Sequence, residues 1–154
     1  MQDIGNYYLI SHLVLLTGLT DRTIRSYIAA GVLNGEKING LWHFKPEQVE
    51  AFVRHPAVRP SIVAKNNGLV HGFLIDTNKT KEEVCLILDI PERDKQKVAE
   101  FFCYRINNGG YRDIQFAYDG AEKITRVILK GDAAEVMRLL AEYSQEQSLS
   151  QMNG

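Results

Sequence analysis

The apolar positions of this chain change period along its length, and the changes mark its elements. In SHLVLLTG, Leu13 and Leu16 fall on one helical face, with Ser11 as a cap and Gly18 as a stop. Two residues on, Thr20 is a good N-cap and Asp21 suits the positive end of a helix dipole. Ile24, Tyr27 and Ile28 then recur at i, i+3 and i+4 and must face a core. Arg22, Arg25, Ser26 and Ala29 lie opposite, toward solvent. The period next drops to that of a strand. Asn39-Gly40 is a strong hairpin signal between Glu36-Lys37-Ile38 and Leu41-Trp42-His43-Phe44. Pro46 opens a further helix with Val49, Phe52 and Val53 inward.

Past Arg54, Pro56 and Pro60 followed by Asn66-Asn67-Gly68 predict a linker over 56–68. LVHGFLID and EVCLILDIP predict strands, rich in Val, Ile, Leu and Phe. ERDKQKVAEFFCYRI spaces Val98, Phe101, Phe102 and Ile106 as a helix, ended by NNGG. YRDIQFAYD puts Ile114, Phe116 and Tyr118 on one face and turns into ITRVILKG as a hairpin. Asp132 and Glu135 bracket the start of a helix whose stripe is Val136, Leu139, Leu140 and Tyr143. The order predicted is ββαββα, with βαββα as the alternative if 81–88 is helical. The tail from Ser144 lacks an apolar face and is expected to fray.

The fold class expected is therefore α+β. An N-terminal winged helix-turn-helix over 1–55 and a linker over 56–68 precede a small two-layer antiparallel-sheet domain over 69–143. A polar tail over 144–154 follows.

Composition narrows the function. The 154 residues are 45% hydrophobic and 24% charged, which excludes disorder. No apolar run nears the ~18 residues of a membrane span, so no membrane partner is expected. MQDIGNYYLI has no basic segment before an apolar one, and two cysteines without CxxC spacing read as buried thiols in a reducing cytoplasm. Four scattered histidines form no metal-ligand pattern. The net charge of −1 hides an asymmetry: residues 1–65 carry seven Lys/Arg against five Asp/Glu, and the remainder eleven against fourteen. What a nucleic acid meets is the local field, so the average does not exclude one.

Candidate chemistry in the second half is weak. His71 with Cys85 or Cys103 has no fixed spacing, and Asp76, Glu82, Glu83 and Asp89 read as a solvated rim. Phe73, Tyr104, Tyr111, Phe116 and Tyr118 suit a core or an oligomer face better than a ligand pocket. No nucleotide loop, GxSxG or HExxH occurs, so no enzyme and no cofactor are expected.

Two short helices joined by a glycine turn, the second presenting arginines beside small residues, suit entry into a major groove. LTGLTDRTIRSYIAAGVL, NG-LWHF and PEQVEAFV together resemble the DNA-binding domain of the MerR regulators and related excisionase-type winged helices, over residues 8–54. The resemblance implies a dimeric transcription regulator of double-stranded DNA, its second helix reading the major groove and its wing on the backbone. The residues it places at DNA are Thr20, Asp21, Arg22, Thr23, Arg25, Ser26 and Tyr27, with Lys37, Asn39, Gly40 and His43 on the wing. Ser26 replaces the first of the family's paired tyrosines, and His43 stands where a wing arginine is common. The family continues into a long dimerisation helix, where this chain has Pro56 and Pro60. Self-association as a homodimer is therefore assigned to 69–143, together with any small-molecule effector. An excisionase-like architectural protein and a protein–protein adaptor on a helix-turn-helix that no longer binds DNA are the alternatives.

Overall fold

The computed structural model describes residues 7–91 and 94–153, with side chains to Leu149 at the C-terminal end. It is mixed helix and sheet, with two antiparallel sheets. The first part of the chain forms α1 (Ile10–Thr17), α2 (Asp21–Ala29), the hairpin β1 (Glu36–Ile38) and β2 (Leu41–His43), and α3 (Pro46–Arg54). It continues with α4 (Arg59–Ile75), β3 (Glu83–Ile90), α5 (Lys95–Asn108), β4 (Ile114–Asp119), β5 (Thr125–Asp132) and α6 (Ala133–Asn153).

Most of the periodicities become faces. Leu13, Leu16, Ile24, Val49, Phe52 and Val53 are buried, as are Val98, Phe102, Val136, Leu139 and Tyr143. Gly18 ends α1 in the left-handed region at φ 77°. A Cβ there would strike the Lys65 side chain, so α4 packs against this turn. Asn39 and Gly40 both have positive φ (51° and 81°), as the tight hairpin turn requires. Asp132 accepts the Glu135 N–H at 3.1 Å and caps α6.

Four expectations fail. Ser11 is not a cap: α1 begins at Ile10, and the Leu9 N–H is held instead by His12 Nδ1 at 2.9 Å. LVHGFLID is not a strand, and 56–68 is not a linker, because α4 runs through both. Pro60 sits in its first turn, where the missing N–H has no intrahelical acceptor to lose. Val58, Ile62, Asn66 and Leu69 form a buried stripe at helical spacing across the supposed boundary, while Asn67 and Gly68 face water. The second half thus reads αβαββα, with 83–90 a strand. The tail does not unravel at Ser144 either, since α6 reaches Asn153. Extending a helix already nucleated by packing adds one hydrogen bond per residue fixed. Glu92 and Arg93, which the expected α5 included, and residues 1–6, on which the reading of the N-terminus fell, lie outside the described residues.

The larger sheet has the order β3-β5-β4. Leu129 at its centre pairs with Leu86 on one side and Phe116 on the other. Phe116, Tyr118, Val127 and Leu129 point toward α5 and α6, where Phe102 stacks on Phe116 and Tyr143. Ala117 and Ile128 point to the opposite face, which α4 covers through Leu69. One buried cluster runs without a break from Tyr8 and Leu13 through Phe52 to Tyr143. α1 lies against β4 and α5, so residues 8–55 and the sheet share a core. Arg59 on α4 clamps Asp119 at the end of β4 with two bonds of 2.9 and 3.0 Å.

Candidate nucleic-acid interface

α2 is built from its cap outward. The Thr20 hydroxyl accepts the Thr23 N–H at 3.1 Å and closes the first turn. Ile24 is the fully buried residue that fixes which face turns in. With Ile24 inward, Arg22, Arg25, Ser26 and Ala29 are all exposed, and Gly31 ends the exposed row at φ 78°. Outward side chains are therefore short except for two guanidinium groups. Such a surface can approach a groove closely and carry donors into it.

The two arginines differ. Arg25 Nε donates to Asp21 Oδ1 at 2.6 Å, an exposed pair one turn apart. Arg22 makes no ion pair among the described residues. Ser26 returns its hydroxyl to the Arg22 carbonyl at 3.1 Å. Tyr27, grouped with the DNA-facing residues by resemblance, is turned toward α3. Its ring meets Phe52 edge-on at 5.6 Å and its hydroxyl donates to the Ala57 carbonyl at 3.3 Å. It keeps the two helices in register, as its i+3 spacing from Ile24 requires.

The hairpin is tied to the segment that precedes α1. Lys37 and Trp42 are cross-strand partners, and the Lys37 ammonium lies 6.0 Å from the indole centroid. Trp42 in turn stacks near Phe44, which is fully buried. His43 is less free than its place on a wing suggests, because its ring lies flat on Tyr7 at 4.2 Å and 7°. Next to it, Tyr8 exchanges both backbone hydrogen bonds with Phe44, at 2.7 and 2.8 Å, adding a bridge to the hairpin. Sequence reasoning missed Tyr7 and Tyr8. The signal was present: two aromatics preceding the first helix alternate faces as an extended segment does.

The acidic and thiol candidates of the second half do not converge. Asp89 is held by Arg126 at 2.7 and 2.9 Å, and that guanidinium holds its carboxyl below the ordinary range. Cys103 is buried, which pushes its thiol far above the ordinary value. Among the described residues no group of His, Cys, Asp and Glu is placed to hold a metal ion, and no helix is long and apolar enough to cross a membrane. Comparison with models of protein families, with curated proteins and with solved structures returned no match.

Proposed function

We propose that this chain is a sequence-specific, double-stranded DNA-binding transcription regulator of a MerR-like winged helix-turn-helix class. In this reading α2 enters the major groove and the β1–β2 hairpin lies on the flanking backbone. The observation that carries it is the outward face of α2: two arginines among Ser26, Ala29 and Gly31, on a helix whose inner side is anchored by Ile24. Arg22 and Arg25 reach base edges. Thr20, Thr23 and the α2 N-terminus meet phosphate, as do Lys37 and the Asn39-Gly40 turn. No catalytic step is assigned. The free thiols of Cys85 and Cys103 support a reducing, cytoplasmic setting.

A single winged helix has too small an interface for useful affinity, so two half-sites and two copies are expected. The second copy is assigned to the surface where α4 meets β3. There Leu74 is 72% and Ile87 53% exposed, and the outer edge of β3 has no partner strand among the described residues. Antiparallel pairing of β3 with its own copy, centred near Ile87, sets Cys85 and Ile87 of both chains on one side beside α4. Selection of bound sequences from randomised duplex DNA, followed by titration at two salt concentrations, tests the reading. A recovered motif with two half-sites and a steep salt dependence is the expected result. Absence of any duplex binding at low salt overturns it.

A further inference from the structure

A cavity of about 270 Å³ lies where the helix-turn-helix region meets the sheet. Its walls come from α3 (Glu47, Val49, Glu50, Val53), from the first turns of α5 (Lys95, Gln96, Ala99), and from Tyr8 and Tyr118. The walls are apolar below and polar at the rim, the usual make-up of a small-molecule site, though near the lower end of the usual size. Two features go beyond shape.

The first is Tyr8. The residue is only 2% exposed, lines the cavity, and its hydroxyl has no hydrogen-bond partner among the described residues. The fully buried polar atoms without a partner are Asn66 Oδ1, Tyr111 Oη and Thr125 Oγ1 among the described residues; the Tyr8 hydroxyl keeps access to the cavity, where a bound group can reach it. Tyr118, also buried, makes only a long 3.4 Å bond to the Lys95 carbonyl. The second feature is charge. Glu47 and Glu50 stand on one wall, and Asp94 and Glu100 lie behind the other. Lys95 is the one basic residue in the lining, and Arg54 reaches Glu50 from outside in an exposed pair at 3.4 Å. Burial is the main cause that raises both phenols well above the ordinary tyrosine value; Glu100 and Asp94 push Tyr8 the same way, as Asp119, Glu50 and Asp94 do Tyr118.

We propose that this cavity binds a small organic monocation, an amine with a compact apolar or aromatic body. Its ammonium group donates to Glu50 and to the unpartnered Tyr8 hydroxyl oxygen. Its body lies on Val49, Val53 and Ala99. A ligand so placed touches α3 on one side and α5 and Tyr118 on the other, and thus both regions of the fold. The site does not depend on DNA being the partner, and its test contains no DNA.

Three probes of one shape and different charge decide it: phenethylamine, phenethyl alcohol and phenylacetate. Each is titrated into the full chain by calorimetry and ligand-observed NMR. The amine should bind about tenfold or more tightly than the alcohol, and phenylacetate most weakly. Glu50→Gln, at an exposed position that the fold does not need, should reduce the amine's affinity about three- to tenfold and leave the alcohol unchanged. Tyr8→Phe should weaken both, with circular dichroism confirming an intact fold. Binding of phenylacetate as tight as the amine, an unchanged amine affinity in Glu50→Gln, or no binding of any probe at about 10 mM, far above the ordinary range for small ligands, overturns the proposal.

Discussion

Two exposed faces of this molecule have opposite chemistry. The outer face of α2 carries Arg22, Arg25, Ser26 and Ala29; the junction of α4 and β3 carries Leu74 and Ile87. Water satisfies guanidinium groups at little cost, so the first face is stable bare, and only a polyanion improves on water. Water does not satisfy a branched aliphatic side chain, and a cluster of them beside an open strand edge invites a protein surface. Exposure alone therefore says little. What the exposed atoms lose or gain by being covered tells the two faces apart, and it is the ground on which the proposed function sets nucleic acid against one and a second copy against the other.

The strongest way to break the comparison is to charge the apolar face. Leu74→Asp with Ile87→Lys should shift self-association by about 2–4 kcal/mol, roughly a hundredfold, since each change recurs twice across a two-fold interface. Sedimentation of the full chain at tens of micromolar reads the result. A parent that is already monomeric there removes this face from the interface. Next in size is the polar face. Arg22→Ala should cost ~1–3 kcal/mol in binding to a selected site and relax preference at one base pair. Its melting temperature should stay put, because Arg22 makes no ion pair among the described residues. Equal affinity of variant and parent in a fluorescence-anisotropy titration would take α2 out of the groove.

A third change tests the frame that holds both faces apart. His12 is buried on the inner face of α1, its Nδ1 accepts the Leu9 N–H, and burial lowers its pKa below the ordinary 6.5. The folded chain holds this imidazole neutral while the unfolded chain takes up a proton. Stability is thus fully present above pH 6.5 and declines as pH falls through that value toward the lowered folded pKa. His12→Leu should cost about 1 kcal/mol at pH 8, from the lost hydrogen bond, and flatten the decline between pH 6.5 and 5. Urea denaturation at the two pH values measures it. An unchanged slope would mean that other groups govern acid sensitivity.

The same contrast explains what was legible in the sequence. The α2 face could be read because every determinant is local: Thr20 three residues before Thr23, Ile24 and Ile28 one turn apart, Asn39-Gly40 fixing the hairpin by backbone preference alone. The α4 face could not. Its prolines and NNG look like breakers one at a time, and only the stripe Val58–Ile62–Asn66–Leu69, spanning them, reveals a helix. That the cover over β4 and β5 would be α4 depended on a tertiary contact, Leu69 on Ala117 and Ile128, that no local pattern encodes. The bond between Arg59 and Asp119, sixty positions apart, and the cavity beside Tyr8 are likewise products of packing between distant segments.

The smallest expected effect is the most discriminating, because it has opposite signs for the two properties it touches. Asp21 begins α2, where a carboxylate suits the helix dipole, and it holds Arg25 in a 2.6 Å bond. Asp21→Asn removes the charge and keeps the size. Stability should fall by ~0.3–1 kcal/mol, since the dipole is one term and the exposed ion pair a weak second. DNA binding should strengthen instead, by roughly 0.5 kcal/mol at low salt. Arg25 is released for a base edge, and a negative charge facing phosphates is gone. The gain should shrink as salt rises, because the lost repulsion is screened over a Debye length of about 10 Å at 0.1 M. Thermal melting and anisotropy at two salt concentrations separate the two effects. Binding weakened by tenfold or more would instead mean that Asp21 accepts a hydrogen bond from a cytosine amino group, in the range of about 1–3 kcal/mol for a specific base contact. Asp21 would then be a reader, and its bond to Arg25 the device that aims both side chains at neighbouring base pairs.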